Sequence, residues 1–230
     1  MAIILNIDTS SSICSVSLAK DGEIIQGYES SKKMDHSTSL APFVKNCLDY
    51  LRQKGEKLEA VSVTIGPGSY TGLRIGLSLA KGISFGLEIP LITLSSLKVL
   101  TVRAIFSYPD FNGNELIVPM MDARRMEVYT GVYNSALEVM EPETALILDE
   151  SSFKNLIQTD KVLFIGDGSD KFKELYKGSN GVWLGPLLPH AKYMATLSEL
   201  YFKKKQFSDV AYSVPSYLKE YQTTQSKSRL

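Results

Sequence analysis

Apolar and polar positions alternate with two periods along this chain. Ile3–Asp8 (IILNID) is an apolar run ending in an acidic residue, which predicts a buried strand. Thr9-Ser10-Ser11-Ser12 is a turn. Residues 14–19 alternate, Lys20-Asp21-Gly22 reads as a hairpin turn, and 23–29 is a third strand, so three antiparallel strands open the chain. Within 35–54, Leu40, Phe43, Val44, Cys47, Leu48 and Leu51 recur at the spacing of one amphipathic helix face. Pro42 lies in its opening turns, where a missing N–H costs least. A strand at 60–65, a glycine-bearing helix ending near Gly86, a strand at 91–94 and a helix at 96–106 follow. The turn-rich 108–114 (YPDFNGN) divides the chain into units of 1–107 and 108–230. Beyond it, 116–121 and 126–133 read as strands around the turn Asp122-Ala123-Arg124-Arg125. Val162–Ile165 is a strand running into Gly166-Asp167-Gly168-Ser169, and 191–205 is a closing helix. The polar tail from Ser216 is expected to fray after Tyr217.

The most informative stretch is Gly66–Gly82 (GPGSYTGLRIGLSLAKG). Pro67 fixes its own φ, and the glycines beside it permit conformations that a Cβ forbids. Ser69 or Thr71 can cap the helix that follows. Each interior glycine costs that helix roughly 0.5–1 kcal/mol relative to alanine. Gly72, Gly76 and Ala80 recur every fourth residue and leave one face nearly bare, which predicts a close neighbour. That neighbour is a ligand phosphate cradled by backbone N–H groups, or another helix of this chain or of a partner, unless the segment is simply a tight strand-to-helix turn. No lysine stands where a Walker loop needs one, and Thr71 replaces the third glycine of the dinucleotide fingerprint.

Lys+Arg and Asp+Glu number 25 each, so no global basic field exists to hold nucleic acid; an RNA contact is local or delegated to a partner. With 230 residues, 44% of them hydrophobic and 22% charged, the chain has the make-up of a soluble globular protein able to bury a large core. Cys14 and Cys47 sit in apolar surroundings without a CxxC spacing and read as reduced core thiols. The amino-terminal MAIILNIDTS lacks the basic region of a signal peptide. The longest apolar stretch, 83–97, is interrupted by Glu88 and Pro90 and is too short for a bilayer. A cytoplasmic protein is expected.

Taken together, Ile3–Ser10, Gly66–Gly82, 121–129 (MDARRMEVY), Gly166-Asp167-Gly168 and Pro215-Ser216-Tyr217-Leu218 resemble the TsaB family, also called YeaZ, in order and over most of the chain. GPGSYTGLRIG is the most specific of these. The resemblance implies an α/β fold of two actin–hexokinase-like lobes (ASKHA, ribonuclease H-like) with a reduced second lobe. It implies a non-catalytic accessory subunit of the machinery that makes N6-threonylcarbamoyladenosine in tRNA. Its implied partners are the catalytic subunit TsaD, the small ATPase TsaE and a second copy of the chain, with tRNA met only through the complex.

The residues agree with a non-catalytic role. The catalytic relative binds metal through a His-x3-His pair, and the corresponding 95–107 contains no histidine. The only histidines are His36 and His190, too far apart for that pair, so no metal site is expected. The glycoprotease-like grouping of the family raises a serine mechanism, but Asp35-His36-Ser37 is adjacency along the chain and not a triad. Asp35 or Ser37 reads as a helix cap and His36 as solvent-exposed. Asp8, Thr9, Ser10, Gly166, Asp167 and Gly168 are candidates to line a residual cleft with weak nucleotide binding; otherwise these aspartates bond their own turns. No cofactor is expected. The Asp122 turn offers either a phosphate contact or an internal Asp122–Arg ion pair, and Lys219, Lys227 and Arg229 form a weak basic tail. The association surface is expected on the two long helices, through Leu40, Phe43, Val44, Cys47, Leu48, Leu51, Tyr70, Gly72, Leu73, Gly76, Leu77 and Ala80. The alternative function is an independent small-molecule kinase or ATPase of the same superfamily, which ATP turnover by the chain alone would reveal.

Overall fold

A computed structural model describes residues 2–32, 35–176 and 178–219. The opening reads as expected: β1 (Ile3–Asp8), β2 (Cys14–Lys20) and β3 (Glu23–Ser30) form an antiparallel meander. Asp21 and Gly22, both at positive φ, make the hairpin between β2 and β3. The chain continues through α1 (His36–Lys54), β4 (Ala60–Gly66), α2 (Tyr70–Leu87), β5 (Leu91–Ser95) and α3 (Ser96–Ser107). The first sheet has the order β3-β2-β1-β4-β5, with β4 parallel to both β1 and β5.

The second half repeats this plan. Its elements are β6 (Leu116–Asp122), β7 (Glu127–Tyr133), β8 (Val139–Ile147), α4 (Lys154–Thr159), β9 (Val162–Ile165), α5 (Ser169–Leu175) and β10 (Gly181–Trp183). The sheet order β8-β7-β6-β9-β10 matches the first strand for strand, with the same directions. The architecture is two actin–hexokinase-like α/β lobes. The second is reduced: α4 and α5 have 6 and 7 residues where α1 and α2 have 19 and 18.

β8, α4, α5 and β10 escape the sequence reading. β8 is an edge strand carrying Pro142 and is mostly exposed on both faces, so its residues need not alternate. The other three elements are too short to show a period. The predicted closing helix is a 3₁₀ turn, Ala191–Met194, followed by α6 (Ala195–Lys203).

One face of the first sheet buries Leu5, Ile7, Val16 and Val63 against Leu40, Val44, Cys47 and Leu51 of α1 and Leu77 and Ala80 of α2. On the other face, Ile4, Ile92 and Leu94 meet Val99 and Val102 of α3 and Ala191, Met194 and Leu197. The last helix therefore returns to the first sheet, although it follows the second in sequence. The far side of α3, with Leu97, Leu100 and Ala104, packs on Ile117, Met121, Leu163 and Ile165 of the second sheet. Cys14 and Cys47 are free and buried, and burial pushes both thiols up to about 12, which keeps them unreactive. Among the described residues no helix is long and apolar enough to cross a membrane.

Candidate functional site

The candidate cleft residues lie at the carboxyl ends of the parallel strands, where open α/β sheets bind their ligands. Asp8 closes β1 and is wholly buried. Its Oδ1 accepts from Ser10 N–H (3.2 Å), Ser10 Oγ (2.7 Å) and Thr64 Oγ1 (2.6 Å). Its Oδ2 is buried without a hydrogen-bond partner among the described residues. Thr9 Oγ1 donates to Gly72 O (2.8 Å). Ser69 caps α2, its Oγ accepting from Gly72 N–H at 3.2 Å.

The bare face of α2 meets Thr9 of the same chain, through its carbonyl at Gly72 and its side chain at Gly76. A Cβ on Gly68 would stand 2.1 Å from Ser10 O, on Gly72 2.1 Å from Thr9 O, on Gly76 2.2 Å from Thr9 Oγ1, and on Gly66 2.5 Å from Ser216 O. Gly68 also has φ +149, a conformation that side chains rarely adopt. The N–H groups of Ser69 and Leu73 are spent on Ser10 O (2.7 Å) and Ser69 O (2.9 Å). The neighbour that the glycine spacing demands is thus the Thr9-Ser10 turn, which corrects the expected helix, while Ser216 closes on Gly66.

The second lobe closes its corresponding turn in the same manner. Gly166 has φ +113, and a Cβ there would stand 2.0 Å from Met120 O. Gly168 N–H donates to Met120 O (3.0 Å), and Asp122 N–H donates to Asp167 Oδ1 (3.0 Å). Asp122 pairs with Lys171 (3.0 Å), which corrects the expected Asp122–Arg pair. Arg124 and Arg125 sit at φ 71 and 50 and are exposed, their turn closed by Glu127 N–H donating to Arg124 O (3.1 Å). The structure thus ties Asp8, Thr9 and Ser10 to the first glycine turn and Asp167 to the second lobe's own hairpin. A hollow of about 770 Å³ lies at the opposite end of the first sheet, beside Ile3, Glu59 and Pro90, away from all of these residues.

The two histidines sit apart, each in its own local surroundings. Among the described residues no group of three or more His, Cys, Asp or Glu is placed to hold a metal ion. Asp35 precedes α1, and its carboxylate accepts from the hydroxyls of Ser39, Thr38 and Ser30, which holds its pKa down at about 2. His36 is half-buried rather than exposed, and its Nε2 is shielded without a partner among the described residues. His190 Nδ1 accepts from Lys192 N–H (3.1 Å), so its proton sits on Nε2 and is shared with Glu29 Oε2 at 2.6 Å.

Burial lowers the His190 pKa, outweighing the attraction of Glu29 and Asp8; Lys192 lowers it further. A histidine held neutral in the fold contributes stability that is present above its unfolded pKa of about 6.5 and is lost as pH falls below it. The melting temperature is expected to drop between about pH 7.5 and 5.5, and His190→Asn, which keeps an acceptor for Lys192 N–H, should flatten that slope. Unfolding scans across the range check this; an unchanged slope in the variant would remove His190 as the cause.

The expected association residues need correction. Leu40, Val44, Cys47, Leu51, Leu73, Leu77 and Ala80 are core, and Gly72 and Gly76 are buried against Thr9. They cannot form an outer surface, because the first sheet consumes the main apolar stripe of both helices. Phe43 and Leu48 are half-buried and Tyr70 is partly exposed, though Tyr70 stacks on Tyr217 at 5.2 Å. The outward face of α2 carries residues that the sequence reading missed. A Cβ on Gly82 or Gly86 would meet nothing within 4 Å, and Phe85 and Leu87 are 79% and 51% exposed. Their signal was available: Phe85 and Gly82 fall outside the buried stripe that Gly72, Gly76 and Ala80 define. The start of the tail is pinned to the first lobe, where Ser216 N–H donates to Ile65 O at 2.7 Å, and the expected fraying beyond Tyr217 falls largely outside the described residues. Lys227 and Arg229 lie outside the described residues.

Residues 28–228 match the family model described as TsaD, tRNA N6-adenosine threonylcarbamoyltransferase. A Bacillus subtilis protein named tRNA threonylcarbamoyladenosine biosynthesis protein TsaB is 35% identical, covering 94% of this chain and 93% of its own. The protein of the same name from Escherichia coli is 29% identical, covering 94% of each chain. The solved structure of YeaZ from Pseudomonas aeruginosa superposes with a TM-score of 0.77 at 27% identity, covering 95% of this chain and all of that one.

Proposed function

The chain belongs to the TsaB (YeaZ) family, and from that premise we propose that it is a non-catalytic accessory subunit for threonylcarbamoylation of tRNA. Membership places it in the biosynthesis of N6-threonylcarbamoyladenosine. The proposal adds that it binds and supports a TsaD-type catalytic subunit, together with a TsaE-type ATPase, in the cytoplasm.

The supporting observation is the filling of the first glycine turn from within. A phosphate site needs free N–H donors and room for three oxygens. Here Ser69 and Gly72 have already donated, and the carbonyl oxygens of Thr9, Ser10 and Ser216 crowd the glycines. Oxygens carrying partial negative charge repel an anion. This favours the reading of the motif as an internal packing seam and disfavours a kinase or ATPase. The role left for the rigid first lobe is to present a surface, and the outward face of α2 supplies one.

Reconstitution tests the proposal. Unmodified tRNA is incubated with the catalytic subunit, the ATPase, ATP, threonine, bicarbonate and the enzyme that makes the threonylcarbamoyl donor. Nucleoside mass spectrometry is expected to find the modified adenosine only when this chain is also present. Alone, the chain should yield no modified nucleoside and no ATP turnover. Either activity in the isolated chain would overturn the accessory role.

A further inference from the structure

Segment 208–219 crosses the first lobe as a strap, with a turn at 209–213, and reaches the second. Ser208 N–H donates to Leu91 O (2.8 Å), and its Oγ meets Thr93 Oγ1 (2.7 Å), fixing the start at the edge of β5. Lys81 of α2 then donates from Nζ to Ala211 O (2.9 Å) and Ser213 O (3.1 Å). Ser216 N–H donates to Ile65 O (2.7 Å), and Ser216 O lies against Gly66. Tyr217 stacks on Tyr70, and its hydroxyl accepts from Arg74 Nε (3.0 Å) while the Arg74 guanidinium covers the Tyr70 ring at 4.1 Å. Two residues on, Lys219 Nζ pairs with Glu127 Oε2 in β7 at 2.6 Å. Glu127 closes the Asp122 hairpin, which Lys171 holds through Asp122 and Glu127 O, and which Asp122 N–H joins to Asp167.

The strap therefore meets the first glycine turn, then the start of α2, then the second-lobe hairpin, which is itself bonded to the second glycine turn. We propose that the strap is a clasp that couples the two glycine turns, so that opening at either end loosens the other. The physical basis is the spacing. Tyr217 and Lys219 are two residues apart, so release of one removes the restraint that holds the other in place. The Lys219–Glu127 pair is the weaker end: the lysine side chain is 37% exposed, and water competes for such a pair. The Tyr70–Tyr217–Arg74 stack is the stronger end, because it joins ring area to a hydrogen bond and a cation–π contact. Because the first turn opens α2, the clasp also links the end of that helix to the second lobe. The inference rests on these contacts and is independent of the accessory role.

Hydrogen–deuterium exchange of the full chain tests it. In Lys219→Ala, amides of 65–74, remote from the deleted ion pair, should exchange about fivefold faster, along with those of 122–128. In Tyr217→Ala, the 122–128 segment should respond likewise. Lys219→Arg keeps the charge and should behave as the parent. Faster exchange confined to the segment that each side chain touches would overturn the coupling, as would an Arg variant as loose as the Ala variant. Lys219 is a surface residue, so its two variants decide the matter even if Tyr217→Ala fails to fold.

Discussion

Gly76→Arg is expected to unfold the chain. The first added atom would stand 2.2 Å from Thr9 Oγ1, inside the radius of any real contact. Thr9 cannot simply rotate away, because its hydroxyl is buried and bonded to Gly72 O. Even Gly76→Ala should lose about 1–3 kcal/mol to overpacking, offset by at most about 1 kcal/mol of helix propensity. The guanidinium adds a charge with no route to water between α2 and the first sheet, at a cost comparable to the whole stability of about 5–15 kcal/mol. Circular dichroism during urea titration should show no cooperative transition for Gly76→Arg and a reduced midpoint for Gly76→Ala. Gly72→Ala should be worse than Gly76→Ala, since its Cβ would strike the Thr9 carbonyl, which is main chain and cannot move independently. A cooperative Gly76→Arg with a near-parental midpoint would mean that the seam is not closed.

That seam shows how far the sequence could be read. The every-fourth-residue spacing of Gly72, Gly76 and Ala80 demanded a close neighbour, and one is there. Its identity was not legible, because a bare helix face looks the same whether a strand end, a partner helix or a phosphate fills it. The deciding partner, Thr9, is 63 residues from Gly72 and signals nothing by itself. The same limit applies to α1. Leu40, Val44, Cys47 and Leu51 declared an amphipathic face, but periodicity reports only that a face is apolar, and here its cover is the first sheet. The first lobe was legible because long strands and helices repeat their period several times. In the second, α4 and α5 are at most two turns long and β10 has three residues, so no period could accumulate. The repeated topology left two traces in the sequence, a strand-rich opening in each half and the short pair Gly66-Pro67-Gly68-Ser69 and Gly166-Asp167-Gly168-Ser169 at equivalent strand ends, the second recognisable only from the sheets. Four residues were too short a match to establish it before the sheets were known. The Asp122 hairpin was placed correctly, yet its ion-pair partner Lys171 lies on α5, an element that the sequence did not announce.

Gly82→Arg, further along the same helix, is expected to do the opposite of Gly76→Arg: keep the fold and weaken association strongly. A Cβ at Gly82 meets nothing within 4 Å, so the new side chain enters solvent in the isolated chain. Replacing an exposed helical glycine should raise stability by up to about 1 kcal/mol, and the melting temperature should hold or rise. The effect on binding follows from the surroundings. Gly82 and Gly86 are one turn apart with Ser78 before them, all exposed, and Phe85 and Leu87 stand out beside them. Small residues flanked by large apolar ones let a second helix approach to about 8–10 Å between axes, with the large side chains filling the sides. An arginine in that stripe would hold the partner off or be buried unpaired. Sedimentation with and without the TsaD-type subunit should show binding weakened by at least about 30-fold, the loss of a hot spot worth about 2 kcal/mol. Phe85→Asp should do the same by a different route, removing apolar area instead of adding bulk. Self-association of the chain should fall in parallel if one face serves both assemblies, and the two assemblies should then compete. Two folded variants that both bind normally would move the docking surface off α2, while one that fails only with the catalytic subunit would separate the two interfaces.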